Sequence, residues 1–309
     1  MNDGMKASRR AVLRGMLGSA AALLAVSPAM PQGGGILTKP IPSTGEALPV
    51  VGLGTWITFN VGKDPALQDE CAEIVAAFFA AGGRLIDSSP MYGSSQPTVG
   101  YALKKLGYPP PLFAAEKVWI SNPESGPAQM EQSRAYWGVP RFDLMQVHNL
   151  LSWERHLQTL LAMKSEGRLR YVGITTSEGR RHKDIERIME TQPIDFVQLT
   201  YNVLDRDVEA RILPLARERG IGVIVNRPFR QGDLVAQVGR HPLPGWVAET
   251  GASNWAQFLL KFIISHPAVT CAIPATSRVD HVRENMAAAT GILPDEALRR
   301  RMADYVRQL

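Results

Sequence analysis

The sequence predicts an α/β protein, a (β/α)8 TIM barrel led by a short N-terminal hairpin. Two observations predict it. Short apolar runs alternate with amphipathic stretches of helical period along most of the chain. The starts of those runs recur about every 25–30 residues, the length of a βα unit, with one longer gap before the last. Eight such units favour a closed parallel barrel. The competing class is an open doubly wound sheet, which wants a Gly-rich dinucleotide turn after its first strand. Gly52-Leu53-Gly54-Thr55-Trp56 lacks the third glycine and is not followed at once by a helix.

The chain has 309 residues, a length that α/β barrels fill as one domain. The reading divides it into an export signal, 1–29, and a single barrel domain, 30–309. The signal opens on Ser8-Arg9-Arg10-Ala11-Val12-Leu13-Arg14, continues through an apolar run over 15–26 and closes on Ser27-Pro28-Ala29. A charged start, a modest apolar core and small residues at the end describe a cleaved leader. The run is shorter than the ~20 residues a stable membrane span needs. The paired arginines resemble a twin-arginine signal, with Val12 where that motif usually has Phe. The expected address is the periplasm, reached through the twin-arginine export machinery; the competing reading is a basic tail on a cytoplasmic protein.

A Gly/Pro-rich connector over 31–40 precedes the hairpin. Strands are expected near 50–54, 84–87, 113–117, 143–148, 170–175, 194–198, 222–226 and 269–273. Helical patterns fall over 68–81, 153–164, 182–190, 205–219 and 254–265. Gly82-Gly83, Gly167 and Gly220 stand where C-caps belong. The stretches 120–140 and 229–252 read as long loops, which in compact domains usually carry function.

The net charge of +5 includes about +3 from residues 1–29, where Lys6, Arg9, Arg10 and Arg14 face only Asp3. With no RNA-binding signature, the remainder implies no nucleic-acid partner. Two cysteines, Cys71 and Cys271, lie in apolar segments and are expected to pack as small hydrophobes. No paired histidine spacing points to a metal.

Chemistry concentrates in four residues. Asp87, Lys117 and His148 each end an apolar run, and Tyr92 follows the first in a loop bounded by Pro90 and Gly93. Such residues can converge at the C-terminal rim of a barrel. Tyr92 is a weak acid of ordinary pKa about 10. An ammonium beside it, Lys117, is expected to lower that pKa, and Asp87 to keep Lys117 charged and oriented. Tyr92 then donates a proton to a carbonyl oxygen as general acid, and His148 hydrogen-bonds and orients the same oxygen. None of the four donates hydride, so a cofactor is required.

From Leu48 to Ala289 the chain resembles the aldo-keto reductases. The resemblance rests on Leu53-Gly54-Thr55-Trp56, Leu85-Ile86-Asp87-Ser88-Ser89-Pro90-Met91-Tyr92-Gly93 and Lys117-Val118-Trp119. It continues in Asp143-Leu144-Met145-Gln146-Val147-His148, Ile273-Pro274-Ala275-Thr276-Ser277-Arg278 and Glu284-Asn285. It implies reduction of aldehyde or ketone carbonyls, small-molecule substrates, with NADPH bound without a Rossmann motif and NADH as the alternative. Thr55, Trp56 and Trp119 would line the nicotinamide end and substrate mouth, and His148 would face the substrate. Gln198 matches the family's carboxamide-contacting glutamine. Thr276, Ser277, Arg278, Glu284 and Asn285 match its adenosine-end segment.

There are departures. Thr175-Thr176 stands where the family usually has Ser-Asn. Asn226-Arg227-Pro228-Phe229 stands where it often has an aromatic and Ser before Pro-Leu. Arg227, with Phe229 beside it, either meets the cofactor pyrophosphate or points into the site. Gln96 replaces a common Glu, read as a minor structural change. These departures keep a second class of function open, a cofactor-binding regulatory or sensor barrel with little turnover.

Overall fold

The alternation of apolar runs and amphipathic stretches folds into a ring of parallel strands surrounded by helices. The computed structural model describes residues 35–309, which form one compact unit. The expected export signal, 1–29, lies outside the described residues. Among those described, no helix is long and apolar enough to cross a membrane.

The hairpin pairs β1 (Thr38–Pro40) antiparallel with β2 (Ala47–Pro49). Its first strand lies in the stretch expected to be connector. Ile41 and Leu48 are fully buried in one cluster with Leu85, Phe113, Leu144, Tyr171, Phe196, Ile224 and Cys271. Phe113, Tyr171 and Phe196 pack ring on ring inside it. The hairpin therefore plugs the end of the barrel at which the strands begin.

Eight strands follow: β3 (Leu53–Gly54), β4 (Leu85–Asp87), β5 (Phe113–Val118), β6 (Phe142–His148), β7 (Leu169–Thr175), β8 (Phe196–Thr200), β9 (Gly222–Asn226) and β10 (Cys271–Ala272). Each is parallel to the next. Gly52 N–H donates to Ala272 O (2.8 Å), Ala272 N–H to Val50 O (2.9 Å) and Gly54 N–H to Pro274 O (3.0 Å), joining the last strand to the first. Closure there needs a bare α-carbon, because a Cβ on Gly54 would fall 2.7 Å from Ile273 O.

Side chains alternate faces along a strand. On β5, Phe113 and Ala115 join the interior cluster, while Ala114 and Val118 join the outer layer against the helices. Leu144 on β6 and Tyr171 on β7 face inward by the same rule, with Met145, Val147, Val172 and Ile174 outward. Counting on by twos places Asp87, Lys117, Gln146, His148, Thr175, Gln198 and Asn226 on the inner face toward the C-terminal ends. The register that builds the core thus delivers the polar residues to one rim.

The outer layer holds α1 (Pro65–Ala80), α2 (Ser95–Lys105), α3 (Gly126–Trp137), α4 (Trp153–Ser165), α5 (His182–Thr191), α6 (Ile212–Arg219), α7 (Asp233–Val238), α8 (Trp255–Ile264), α9 (Val279–Ala287) and α10 (Glu296–Arg307). Asp64 caps α1 through Ala66 and Leu67 N–H, with Pro65 at the first helical position. The helix expected over 205–219 is divided into a 3-10 turn, Asp207–Glu209, and α6. Pro214 accounts for the division. It has no N–H to donate and its ring clashes with the carbonyl four residues back, so it fits only near a helix start. The stretch 120–140 is largely α3, whose buried side is carried by Met130, Ser133 and Trp137 with little apolar pattern. The stretch 229–252 contains α7 and a 3-10 turn, Val247–Thr250. Both cysteines are buried and free.

Candidate active site

Asp87 closes β4, and the chain then turns sharply. Ser89 caps a 3-10 turn, Pro90–Tyr92, by accepting Met91 N–H at 3.1 Å. Gly93 follows with φ of 62°, a left-handed conformation suited to glycine, and a Cβ there would meet Asn60 Oδ1 at 2.3 Å. This turn brings Tyr92 back over the rim.

Lys117 is fully buried. Its Nζ donates to Asp87 Oδ2 at 2.5 Å and to Ser88 O at 2.7 Å, and lies 5.0 Å from the centre of the Tyr92 ring. Asp87 Oδ1 accepts from Gln198 Nε2 (2.8 Å) and Gln146 Nε2 (3.2 Å). Burial works against the ammonium. The nearby Asp87 carboxylate, helped by Tyr92 and Glu116, outweighs it and holds the Lys117 pKa above its ordinary value.

Tyr92 differs from expectation. Desolvation of the half-buried phenol pushes it up to about 12, although Lys117 pulls it back. Desolvation of a phenolate costs more than the ammonium returns. The phenol therefore keeps its proton at neutral pH, the state a proton donor needs. His148 moves the other way: burial, then the Lys117 charge, lower it to about 2, so its imidazole is neutral. The two rings stand nearly perpendicular with centres 5.7 Å apart. The structure thus brings all four chemistry-bearing residues together.

A cavity of about 600 Å³ opens at this rim, with Tyr92 and His148 in its wall. Thr55, Trp56, Thr175, Thr176, Gln198, Arg227, Phe229, Thr276, Glu284 and Asn285 also line it. Thr55 Oγ1 donates to Asp87 O at 2.9 Å. Thr175 Oγ1 donates to Gln198 Oε1 at 3.2 Å, and Thr176 N–H to Gln198 O at 3.0 Å. Asn226 Nδ2 donates to Thr176 O (2.8 Å), while its Oδ1 accepts from Thr200 Oγ1 (2.7 Å). Asn226 thus ties three strand ends together. Arg227 stands in the wall with its guanidinium paired to Glu178 at 3.1 Å, linking the loops after β7 and β9.

Of the expected site residues, Lys117 lies buried behind the wall, and three cofactor or substrate residues lie off it. Trp119 is 39% exposed, its ring centre 6.4 Å from that of His148. Ser277 and Arg278 fall outside the lining, and Arg278 Nε donates to Asp280 Oδ1 at 3.0 Å. Asp280 also accepts His281 N–H at the start of α9.

Sequence reasoning missed three residues of this neighbourhood. Gln146 could have been found by counting two back from His148 along β6. Ser89, whose Oγ lies 2.7 Å from His148 Nδ1, carries no signal beyond its place in the motif. Glu116 faces outward, fully buried, and accepts from Gln96 Nε2 and Trp137 Nε1, both at 2.9 Å. Burial pushes it up to about 7. Gln96 also donates to Ser133 Oγ at 2.7 Å, so it bridges β5 and α3 through its side chain.

A protonated phenol and a neutral imidazole at one cavity wall can both donate to one oxygen. The buried ammonium behind them favours negative charge developing on that oxygen or on the phenol.

A sequence profile of the Aldo/keto reductase family matches residues 50–301. An NADH-specific methylglyoxal reductase of Escherichia coli (strain K12) is 28% identical over 244 residues, covering 67% of this chain and 71% of its own. An aldo-keto reductase of Strobilurus tenacellus is 25% identical over 268 residues, covering 74% and 79% respectively. In three dimensions the chain is similar to an aldo/keto reductase of Klebsiella pneumoniae in complex with NADP and acetate. That likeness has a TM-score of 0.72 and 22% identity, over 85% of this chain and 93% of that one. A glycerol dehydrogenase of Gluconobacter oxydans gives 0.72 and 21%, over 87% and 94%.

Proposed function

The chain belongs to the aldo/keto reductase family, an NAD(P)H-dependent oxidoreductase by that membership, and we propose that it reduces aldehyde or ketone carbonyls with Tyr92 as general acid. One observation carries the assignment. The ion pair of Lys117 and Asp87 is buried directly behind Tyr92, whose phenol stays protonated beside a neutral His148.

The cavity suits a nicotinamide cofactor. Its volume lies within the roughly 300–1,000 Å³ of small-molecule sites, and its wall runs from Thr55 and Trp56 to Glu284 and Asn285. Gln198, Thr175 and Thr176 would hold the carboxamide, Arg227 and Phe229 the pyrophosphate side, and Thr276, Ser277, Arg278, Glu284 and Asn285 the adenosine end. A reduced nicotinamide bound there supplies the hydride. Tyr92 gives its proton to the carbonyl oxygen as the carbonyl carbon gains the hydride, which leaves an alcohol. Lys117 stabilises the phenolate left behind, and Asp87 keeps Lys117 in place. His148 donates to the same oxygen, while Trp56 and Trp119 offer apolar surface to the substrate.

The test is oxidation of NADPH and NADH by the purified protein against a panel of aldehydes, ketones and quinones. Carbonyl-dependent oxidation is expected. Tight cofactor binding with no carbonyl accelerating its oxidation would instead favour a binding or sensor barrel.

NADPH is the expected cofactor, with NADH as a second. The Escherichia coli relative is named for NADH specificity, and here Arg278 is engaged by Asp280. A guanidinium reads phosphate through its fork of donors, so Asp280 competes with a 2′-phosphate for it. Arg278→Ala should weaken NADPH binding about tenfold while sparing NADH, and Asp280→Asn should strengthen NADPH binding. Equal effects on both cofactors, measured by titration, would remove Arg278 from 2′-phosphate recognition.

Export belongs to the same proposal, supported by Arg9-Arg10, the apolar run over 15–26 and Ser27-Pro28-Ala29. A barrel that folds and takes up cofactor before transport would reach the periplasm loaded. Arg9→Lys with Arg10→Lys keeps the charge but removes the paired guanidinium groups. The variant should stay full length in the cytoplasm while the wild-type chain appears shortened in the periplasmic fraction. A wild-type chain that also stays full length in the cytoplasm would leave the segment as a basic tail.

A further inference from the structure

His148 can donate to a carbonyl oxygen only if its cavity-facing nitrogen carries the proton. A neutral imidazole has one N–H, and the partner of its other nitrogen decides which. Here that partner is Ser89. Ser89 Oγ lies 2.7 Å from His148 Nδ1, and both residues are buried. The same Oγ accepts Met91 N–H at 3.1 Å. Among the described residues these are its only hydrogen-bond partners.

A hydroxyl has one proton and two lone pairs. If Nδ1 carried the imidazole proton, Ser89 Oγ would accept twice. Its own hydrogen would then face no acceptor in a place with 0% exposure. A buried donor left without a partner is costly. If Ser89 donates to Nδ1 instead, every group is satisfied. The order becomes Met91 N–H to Ser89 Oγ, then Ser89 O–H to His148 Nδ1, which leaves the proton on Nε2. Since Nδ1 is occupied, Nε2 is the nitrogen free to meet a ligand in the cavity that His148 lines. Burial, with the Lys117 charge nearby, lowers the His148 pKa to about 2, so the ring has a single N–H to place at neutral pH.

We propose that Ser89 is a positioning residue that locks His148 into its Nε2–H tautomer. The oxygen of a carbonyl substrate then meets two donors, the Tyr92 phenol and His148 Nε2–H. Met91 takes part through its backbone N–H alone, so the short turn that carries Tyr92 also sets the proton on His148. One turn thereby aligns both donors on one acceptor. The catalytic consequence rests on the reductase reading above; the tautomer does not.

The tautomer can be read without turnover, by nitrogen-15 NMR of the full chain with labelled histidine. The His148 signals are assigned by their loss in His148→Gln. The wild type should show a protonated Nε2 and a bare Nδ1 across the neutral range. Ser89→Ala should show both tautomers in exchange, kcat/KM for a carbonyl about tenfold lower, and cofactor affinity near wild type. Ser89→Thr keeps a hydroxyl at the same place and should restore the Nε2–H spectrum. A merely structural role for Ser89 would not move the tautomer. A wild-type proton on Nδ1 overturns the proposal however the variants behave, and so does a Ser89→Ala spectrum still locked at Nε2–H. Absence of carbonyl turnover across the panel would count against the reductase reading and leave the tautomer result standing.

Discussion

Tyr92→Phe is expected to lower kcat by about 10²–10⁴-fold, the range attributed to a positioned general acid, with reduced-cofactor affinity close to wild type. Phenylalanine keeps the ring and its perpendicular contact with His148 and removes only the hydroxyl. The loss therefore reads proton donation, because the neighbouring His148 is neutral, with its pKa lowered to about 2, and carries no imidazolium proton to give. The pH dependence follows from the same two groups. Tyr92 is pushed up to about 12 and His148 down to about 2 in the ligand-free protein, so neither is expected to add a limb to the kcat/KM profile across the neutral range. Full activity in Tyr92→Phe, measured by steady-state cofactor oxidation, would remove Tyr92 from the mechanism.

Lys117→Met is expected to be the second largest loss, and it acts on two observables at once. It removes the positive charge that pulls the Tyr92 pKa down, so the phenol becomes a weaker acid and kcat falls by a similar order, about 10²–10⁴-fold. It also strands Asp87 at 1% exposure with only the amide donors of Gln146 and Gln198 and no cation. Breaking a buried pair from one side costs about 3–5 kcal/mol of stability, to be measured by denaturant unfolding. Adding Asp87→Asn removes the unpaired charge, so the double variant should recover much of that stability and none of the activity. Stability and activity returning together would mean that the pair serves the fold and leaves the phenol alone.

The fold was legible because the two periods of the chain agree. Apolar residues at helical spacing alternate with runs in which every second residue faces one core. Counting by twos along β5 and β6 is enough to send Lys117 and His148 to the same rim. Reading failed where a local constraint overrides period. Pro214 divides one expected helix, and α3 buries Ser133 beside Met130 and Trp137, so its pattern is too polar to stand out. The plug strand Thr38–Pro40 is too short to show alternation at all.

At the site, residue identity conveyed the ion pair but not the balance between desolvation and charge. Lys117 does pull Tyr92 down; only the burial of Tyr92 shows that desolvation wins. The same holds for Glu116, where a carboxylate beside Lys117 in sequence turns away from the barrel and settles on Trp137 and Gln96. Contacts between distant segments, such as Ser89 on His148, Arg227 on Glu178 and Asn226 on Thr176, have no spacing by which a sequence could announce them.

The central claim is that this rim delivers hydride and proton to one carbonyl. Product analysis with cofactor carrying deuterium at the transferable position of the nicotinamide tests it directly. An aldehyde reduced by the wild-type protein should yield an alcohol with deuterium on the former carbonyl carbon, and Tyr92→Phe should form that product far more slowly. Cofactor that binds yet leaves every carbonyl of the panel unlabelled would contradict the claim.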